Sequence, residues 1–147
     1  MNYSITIKQI SSKETHQVRH KILRIGQPIE SCEFEGDLRS DTLHFGAFNN
    51  EGLIGIISCY QNNNSYFKSR INYQIRGVAT LEHMQKKGVG KKLMKHAEKK
   101  LKEINCSNIW LNARIKANEF YLKLGYTKIG PIFEVPLIGK HQCFFKN

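Results

Sequence analysis

Apolar and polar residues alternate from the first residues of the chain. Tyr3, Ile5 and Ile7 share one face of a strand predicted over about residues 3–10. Ser11, followed three residues later by Glu14, has the spacing of a capping box, in which each side chain accepts the other's backbone N–H. The helix opened there carries Val18, Ile22 and Ile25 at helical spacing. It is expected to end near Gly26, because Pro28 cannot continue it. Residues 27–40 then lose periodicity and gather Glu30, Glu33, Glu35 and Asp37. Alternation returns at 42–48 and 53–60, joined by Asn49-Asn50-Glu51-Gly52, which is a hairpin signal. A fourth strand is predicted over 69–79, with Ile71, Tyr73, Ile75 and Val78. Its alternation breaks at Gly77, and a glycine inside a strand marks a bulge or a close backbone approach.

The period then changes. Val89, Leu93, Ala97, Leu101 and Ile104 form the apolar stripe of a helix over about 88–103. A short strand at 109–113 and a helix at 117–124, stopped by Gly125, follow. Residues 126–145 read as two more strands separated by Gly139-Lys140. The order β-α-β-β-β-α-β-α-β-β describes an α/β protein with a mixed sheet flanked by helices. With no linker or internal repeat, residues 1–147 are expected to form a single domain.

Composition narrows the field. No run approaches the roughly 18 apolar residues of a membrane span. The start of the chain lacks the basic and apolar blocks of a signal peptide, so a cytoplasmic location is expected. Cys32, Cys59, Cys106 and Cys143 lie far apart and read as reduced thiols. The six histidines include one i,i+4 pair, His16 and His20, without a partner ligand, so no metal site is expected. The 23 Lys and Arg against 12 Asp and Glu give a net charge of +11, a field that attracts polyanions. Nucleic acid and a phosphate-bearing cofactor both answer to that charge.

The lysines concentrate around one segment. Gln85-Lys86-Lys87-Gly88-Val89-Gly90 lies between a strand and a long helix, with Lys91 and Lys92 following. A helix start offers free N–H groups and the positive end of the dipole, and glycines let a phosphate approach the backbone. The segment has neither the Gly-Lys-Ser/Thr of a Walker loop nor a dinucleotide fingerprint. Alone it is equally a glycine-containing loop before a solvated helix face. Few aromatics are interleaved with the lysines and no RNA-binding signature is present, which argues against nucleic acid.

Arg76-Gly77-Val78-Ala79-Thr80-Leu81 followed by Gln85-x-x-Gly88-x-Gly90 resembles motif A of the GNAT superfamily of N-acetyltransferases. Ala117-Asn118-Glu119-Phe120-Tyr121-Leu122-Lys123-Leu124-Gly125-Tyr126 resembles its motif B, and the element order matches the GNAT fold over almost the whole chain. The resemblance implies a bulged central strand that opens a V-shaped cleft for acetyl-CoA as co-substrate. It implies that Val78, Ala79 and Thr80 bind the pantetheine arm. The pyrophosphate would lie on Gln85, Lys86, Lys87, Gly88, Val89, Gly90 and Lys91, with further cofactor contacts from Asn112, Arg114 and Asn118. Relatives often carry Asn at the position of Arg114, so this chain departs from the family there.

Tyr121 matches the tyrosine that such enzymes use to protonate the departing thiolate. The implied activity is acetyl transfer to a primary amine of a small molecule or peptide, by direct transfer in a ternary complex. The alternative is a catalytically silent CoA-binding sensor or adaptor of the same fold. No carboxylate occupies Tyr73 or Ile75, where some relatives place a base; Glu82, His44 or a water relay are the remaining options. The carboxylates of 30–37 lie where an acceptor site is often built and would favour a cationic amine. The C-terminal strands of such proteins often pair between subunits, which makes a homodimer an option.

Overall fold

The computed structural model describes residues 4–68 and 71–147. Its elements are β1 (Thr6–Ile10), α1 (Ser12–Ile22), β2 (Leu43–Asn49), β3 (Gly52–Gln61), β4 (Asn72–Thr80), α2 (Val89–Glu103), β5 (Asn108–Arg114), α3 (Asn118–Lys123), β6 (Thr127–Val135) and β7 (Gly139–Lys146). The strands form one sheet in the order β1-β2-β3-β4-β5-β7-β6. Only β4 and β5 run parallel; the other neighbours are antiparallel. This is the mixed α/β sheet expected from the patterning.

The capping box at α1 forms as anticipated: Glu14 donates its N–H to Ser11 Oγ at 3.2 Å, and Ser11 donates its N–H to Glu14 Oε1 at 3.0 Å. Val18 turns inward to pack with Ile10, Ile56 and Ala79 on one side of the sheet. Val89, Leu93, Met94, Ala97 and Leu101 of α2 are buried in the larger core with Phe45, Ile57, Tyr73 and Leu111. The two helices therefore clamp β3 and β4 from opposite faces, and burial of these side chains contributes roughly 1.5–3 kcal/mol each.

Several boundaries differ from the sequence expectation. Tyr3 and Ser69, the expected first residues of two strands, lie outside the described residues. Helix α1 closes at Leu23, so Ile25 falls beyond it and is 73% exposed. Ile104 caps α2 from outside its buried stripe and is 43% exposed. Residues Ile29–Cys32 form a turn of 3-10 helix within the stretch expected to be irregular. Ala117 ends another such turn, Ile115–Ala117, rather than beginning α3. Gly139 and Lys140 belong to β7: the turn is tighter, with Leu137 at φ 68° and Gly139 paired to Val135.

Two irregularities interrupt the middle of the sheet. Ile56 pairs with Ala79 and Ser58 with Arg76, so the single residue Ile57 opposes both Gly77 and Val78. That is a bulge, and Gly77 supplies the positive φ, +65°, that it requires. On its other edge β4 pairs with β5 only at Asn72–Asn108, Tyr73–Ile109 and Gln74–Trp110. Beyond Gln74 the two strands separate, while β5 stays paired to β7 as far as Arg114. The gap is the V-shaped cleft.

Candidate functional site

The cleft encloses about 320 Å³ between Ile75–Val78 of β4 and Leu111–Arg114 of β5. Tyr121, from α3, and His141, from β7, also line it, as do Leu23, Arg24 and Phe34. Of the residues expected to contact a cofactor, Val78, Asn112 and Arg114 are brought together here with Tyr121. Asn118, at the start of α3, does not line the cleft. Its Oδ1 is buried and has no hydrogen-bond partner among the described residues.

A second recess lies at the start of α2. Thr80, Gln85, Lys86, Gly88, Val89, Gly90 and Lys91 line it together with Phe120. The loop is tied to the end of β4 by Gln85 Nε2, which donates to the Thr80 carbonyl at 3.1 Å. Gly88 is the N-cap of α2 at φ +84°, and a Cβ built on it would enter open space. The N–H groups of the first turn have no intrahelical acceptor and meet the positive end of the helix dipole. A cradle of free N–H groups with room for a phosphate fits the pyrophosphate expected from the motif. Val89 contributes backbone only, since its side chain is 1% exposed in the core. Lys87 is exposed and does not line the recess, and Ala79 is buried against α1.

Tyr121 packs against Phe120, Tyr126 and Phe144, with ring centroids 5.0 to 6.0 Å apart. Burial pushes its hydroxyl up to about 12, so the phenol stays protonated at neutral pH. No protein hydrogen bond to that hydroxyl occurs among the described residues. The Tyr121 hydroxyl is thus not tied into the fold by a side-chain bond among the described residues. Tyr126, by contrast, donates to Glu98 at 2.9 Å.

His141 was not singled out in the sequence. Its Nδ1 lies 2.9 Å from the Gly139 carbonyl, an atom that can only accept. Nδ1 is therefore the donor in that bond, and Nε2 makes no hydrogen bond among the described residues. Phe133 stacks on the ring at 5.8 Å. Phe34, Arg24, Arg76 and Lys116 also escaped notice as site residues. Phe34 is the one aromatic of the acidic stretch, and that was the only available signal.

One expectation is corrected and one open option is closed. Asp37 is not available to a cationic acceptor: its side chain is buried and binds Arg19 at 2.6 and 3.1 Å. Burial raises the Asp37 carboxyl, but bonds from Arg19, Tyr60 and the Phe34 N–H overcome this and hold it below its usual range. His44 does not face the cleft. Its Nδ1 is 2.7 Å from Ser58 Oγ and its Nε2 3.0 Å from the Asp37 carbonyl, inside the same buried network. Burial lowers its pKa, which keeps the ring neutral there. Glu82 stands on an exposed turn and does not line the cleft with Tyr121. Burial likewise pushes up the thiols of Cys59, Cys106 and Cys143, which disfavours the reactive thiolate.

Residues 9–126 match the family described as Acetyltransferase (GNAT) family. The chain is 37% identical over 143 residues to a protein of Bacillus subtilis (strain 168) named "Uncharacterized N-acetyltransferase YitI", covering 97% of this chain and 96% of that one. Among solved structures it is similar to an aminoglycoside 6'-N-acetyltransferase complexed with coenzyme A, at a TM-score of 0.75 and 14% identity, covering 96% of each chain. It is also similar to Escherichia coli ElaA, at a TM-score of 0.75 and 18% identity, covering 98% of this chain and 100% of that one. At such identities the structural likeness speaks for the fold.

Proposed function

Because the chain belongs to the acetyltransferase (GNAT) family, we propose that it transfers an acetyl group from acetyl-CoA to a primary amine of a small molecule or peptide, directly within a ternary complex. The observation that carries this reading is the opening between β4 and β5, with a protonated phenol inside it and a helix-start anion cradle beside it.

The bases for binding differ along the site. Beyond Gln74 the β4 backbone has no β5 partner, so Val78 and Thr80 can offer main-chain bonds to an extended, amide-bearing arm. Gln85 to Lys91 would hold the pyrophosphate, chiefly through N–H groups, with Lys86 and Lys91 adding charge. Asn112 and Arg114 would bound the arm from β5.

In the transfer, the amine nitrogen bonds to the acetyl carbon and the carbon–sulfur bond breaks. The nitrogen loses one proton, and the departing thiolate gains one from Tyr121. An Nε2 without a protein partner among the described residues and a position in the cleft make His141 the acceptor of the amine proton. The four cysteines are free, which fits a reducing compartment, and we place the enzyme in the cytoplasm as one domain spanning residues 1–147. No helix among the described residues is long and apolar enough to cross a membrane. A homodimer through the β6–β7 hairpin is the assembly we expect, and light scattering that finds only a 17.0 kDa species rejects it.

Two measurements test the reading. Acetyl-CoA at a hundred times its dissociation constant should stabilise the protein by about 2.7 kcal/mol. A thiol-release assay across an amine panel should then show turnover. Stabilisation without turnover on any amine would instead describe a sensor or adaptor.

A further inference from the structure

The cleft wall around Tyr121 is built of cations that have no anion. Arg24, Arg76, Arg114 and Lys116 line it, and no Asp or Glu is among the lining residues. Elsewhere Arg19 pairs with Asp37, Arg39 with Asp41 and Lys146 with Glu98, whereas many surface lysines of this +11 chain also lack a partner among the described residues; the cleft differs in gathering its cations around one cavity. Arg24, Arg76, Arg114 and Lys116 join no ion pair among the described residues. Arg24 makes one guanidinium bond, to the Leu23 carbonyl at 3.1 Å.

Two of these arginines share a fixed support. The guanidinium carbons of Arg24 and Arg76 lie 4.8 and 5.4 Å from the centre of the Phe34 ring. Phe34 is itself held by its N–H bond to Asp37 at 2.7 Å and by Arg19. Unpaired cations set this close repel one another, and an anion lodged between them relieves the repulsion. The phosphates of the donor are not that anion. They are accommodated at the start of α2, in a recess that shares no lining residue with the cleft.

We infer that the acceptor is an amine that also carries a carboxylate or phosphate, held by Arg24 and Arg76 over Phe34 while its nitrogen reaches toward Tyr121. The inference rests on the acetyl-transfer reading above. The same positive field disfavours an ammonium group in the cleft and so favours the neutral, nucleophilic amine. The carboxylates Glu30, Glu33 and Glu35 line a different recess, behind Phe34, which reaches neither Arg76 nor Tyr121. A polycation therefore has no carboxylate to meet at the site of transfer.

Matched acceptors test the inference: alanine against alaninamide for the carboxylate, phosphoethanolamine against ethanolamine for the phosphate, and spermidine as a polycation. The anionic member of at least one pair should be favoured by about tenfold or more in kcat/KM, and the favoured pair identifies the anion. Arg76→Gln and Arg24→Gln should each raise KM for that acceptor by about tenfold, the size of one lost charge-assisted hydrogen bond, with KM for acetyl-CoA within about twofold. Arg76 is exposed, so its variant is expected to fold, and thermal melting confirms it. Neutral amines or spermidine used as well as the anionic ones would overturn the inference while leaving the transferase reading intact. So would an R76Q loss that is equal for every amine. If acetyl-CoA binds but no amine turns over, the transferase reading fails by itself. Titration calorimetry of the CoA-loaded protein with each pair then decides: preferential binding of an anionic member, abolished by R76Q, supports the site, and equal binding overturns it.

Discussion

The guanidinium carbon of Arg19 lies 3.9 Å from the centre of the Phe34 ring, so a fully buried ion pair forms the back of the cleft wall. Asp37 takes part in both structures, since it neutralises Arg19 and accepts the Phe34 N–H. Replacing Asp37 with Asn leaves a buried guanidinium without its counter-charge. The expected loss is on the order of 3 kcal/mol, or roughly 10 °C in melting temperature. Differential scanning calorimetry checks it, and a shift below about 2 °C would show that Arg19 finds another partner.

Tyr121 keeps its proton because burial raises it to about 12. Tyr121→Phe should lower kcat by about a hundredfold or more, the range of general-acid catalysis. The dissociation constant for acetyl-CoA should stay within about twofold. In the unaltered enzyme, kcat should show no descending alkaline limb from this group below about pH 11. A rapid-quench assay that finds Y121F at full speed removes Tyr121 from the chemistry.

The second proton step can be separated from the first. His141→Gln keeps a side chain of similar reach but loses the basic nitrogen. Its kcat should fall by about tenfold to a hundredfold near neutral pH. The deficit should narrow as pH rises, because hydroxide can then take the amine proton in place of His141. A deficit constant across pH would mark a packing defect instead.

Gly88 holds φ +84° at the N-cap of α2. Alanine there meets no neighbour but must adopt a left-handed backbone, at roughly 1 kcal/mol. Gly88→Ala should therefore melt about 3 °C lower and bind acetyl-CoA several-fold more weakly. Unchanged affinity would mean that the phosphates do not use this cradle.

Stability should fall on acidification, beginning below pH 6.5. The His44 pKa is lowered in the fold by burial from 6.5, so the unfolded chain takes up that proton first and unfolding gains as pH drops. The depressed Asp37 acts in the same direction at lower pH: its contribution is complete above 3.8 and lost as pH falls through its folded value. Burial lowers His96 in the same direction, so His44→Asn should shrink the first limb of a denaturation-against-pH curve without abolishing it, and leave the second. A wild-type curve flat from pH 6.5 down to the carboxylate range would contradict the assignment.

What the sequence revealed depended on how local the signal was. Gly77 betrayed the bulge because a strand has little other use for a glycine. Ser11 with Glu14 announced a helix start through contacts three residues apart. The glycine-containing loop before α2 was legible for the same reason, and motif B located Tyr121. Phe34, Arg76 and His141 were not legible as neighbours, because only the folded sheet brings such distant positions to one cleft. Asp37 misled: in a run of acidic residues it looks solvated, and nothing nearby in sequence shows that Arg19 claims it. Ile25 and Ile104 continued their helical stripes on paper, but both helices had already ended.

The three-residue contact between β4 and β5 also has a mechanical side. It divides the sheet into a four-strand half and a three-strand half, hinged at Asn72–Gln74. A molecule lodged in the gap fastens one half to the other, so its binding energy is spent on stiffness as well as recognition. Amide hydrogen exchange should slow on both lips of the opening when acetyl-CoA is present, at Ile75–Val78 and at Leu111–Arg114 together. The two lips should protect as a single cooperative unit, which neither strand achieves alone.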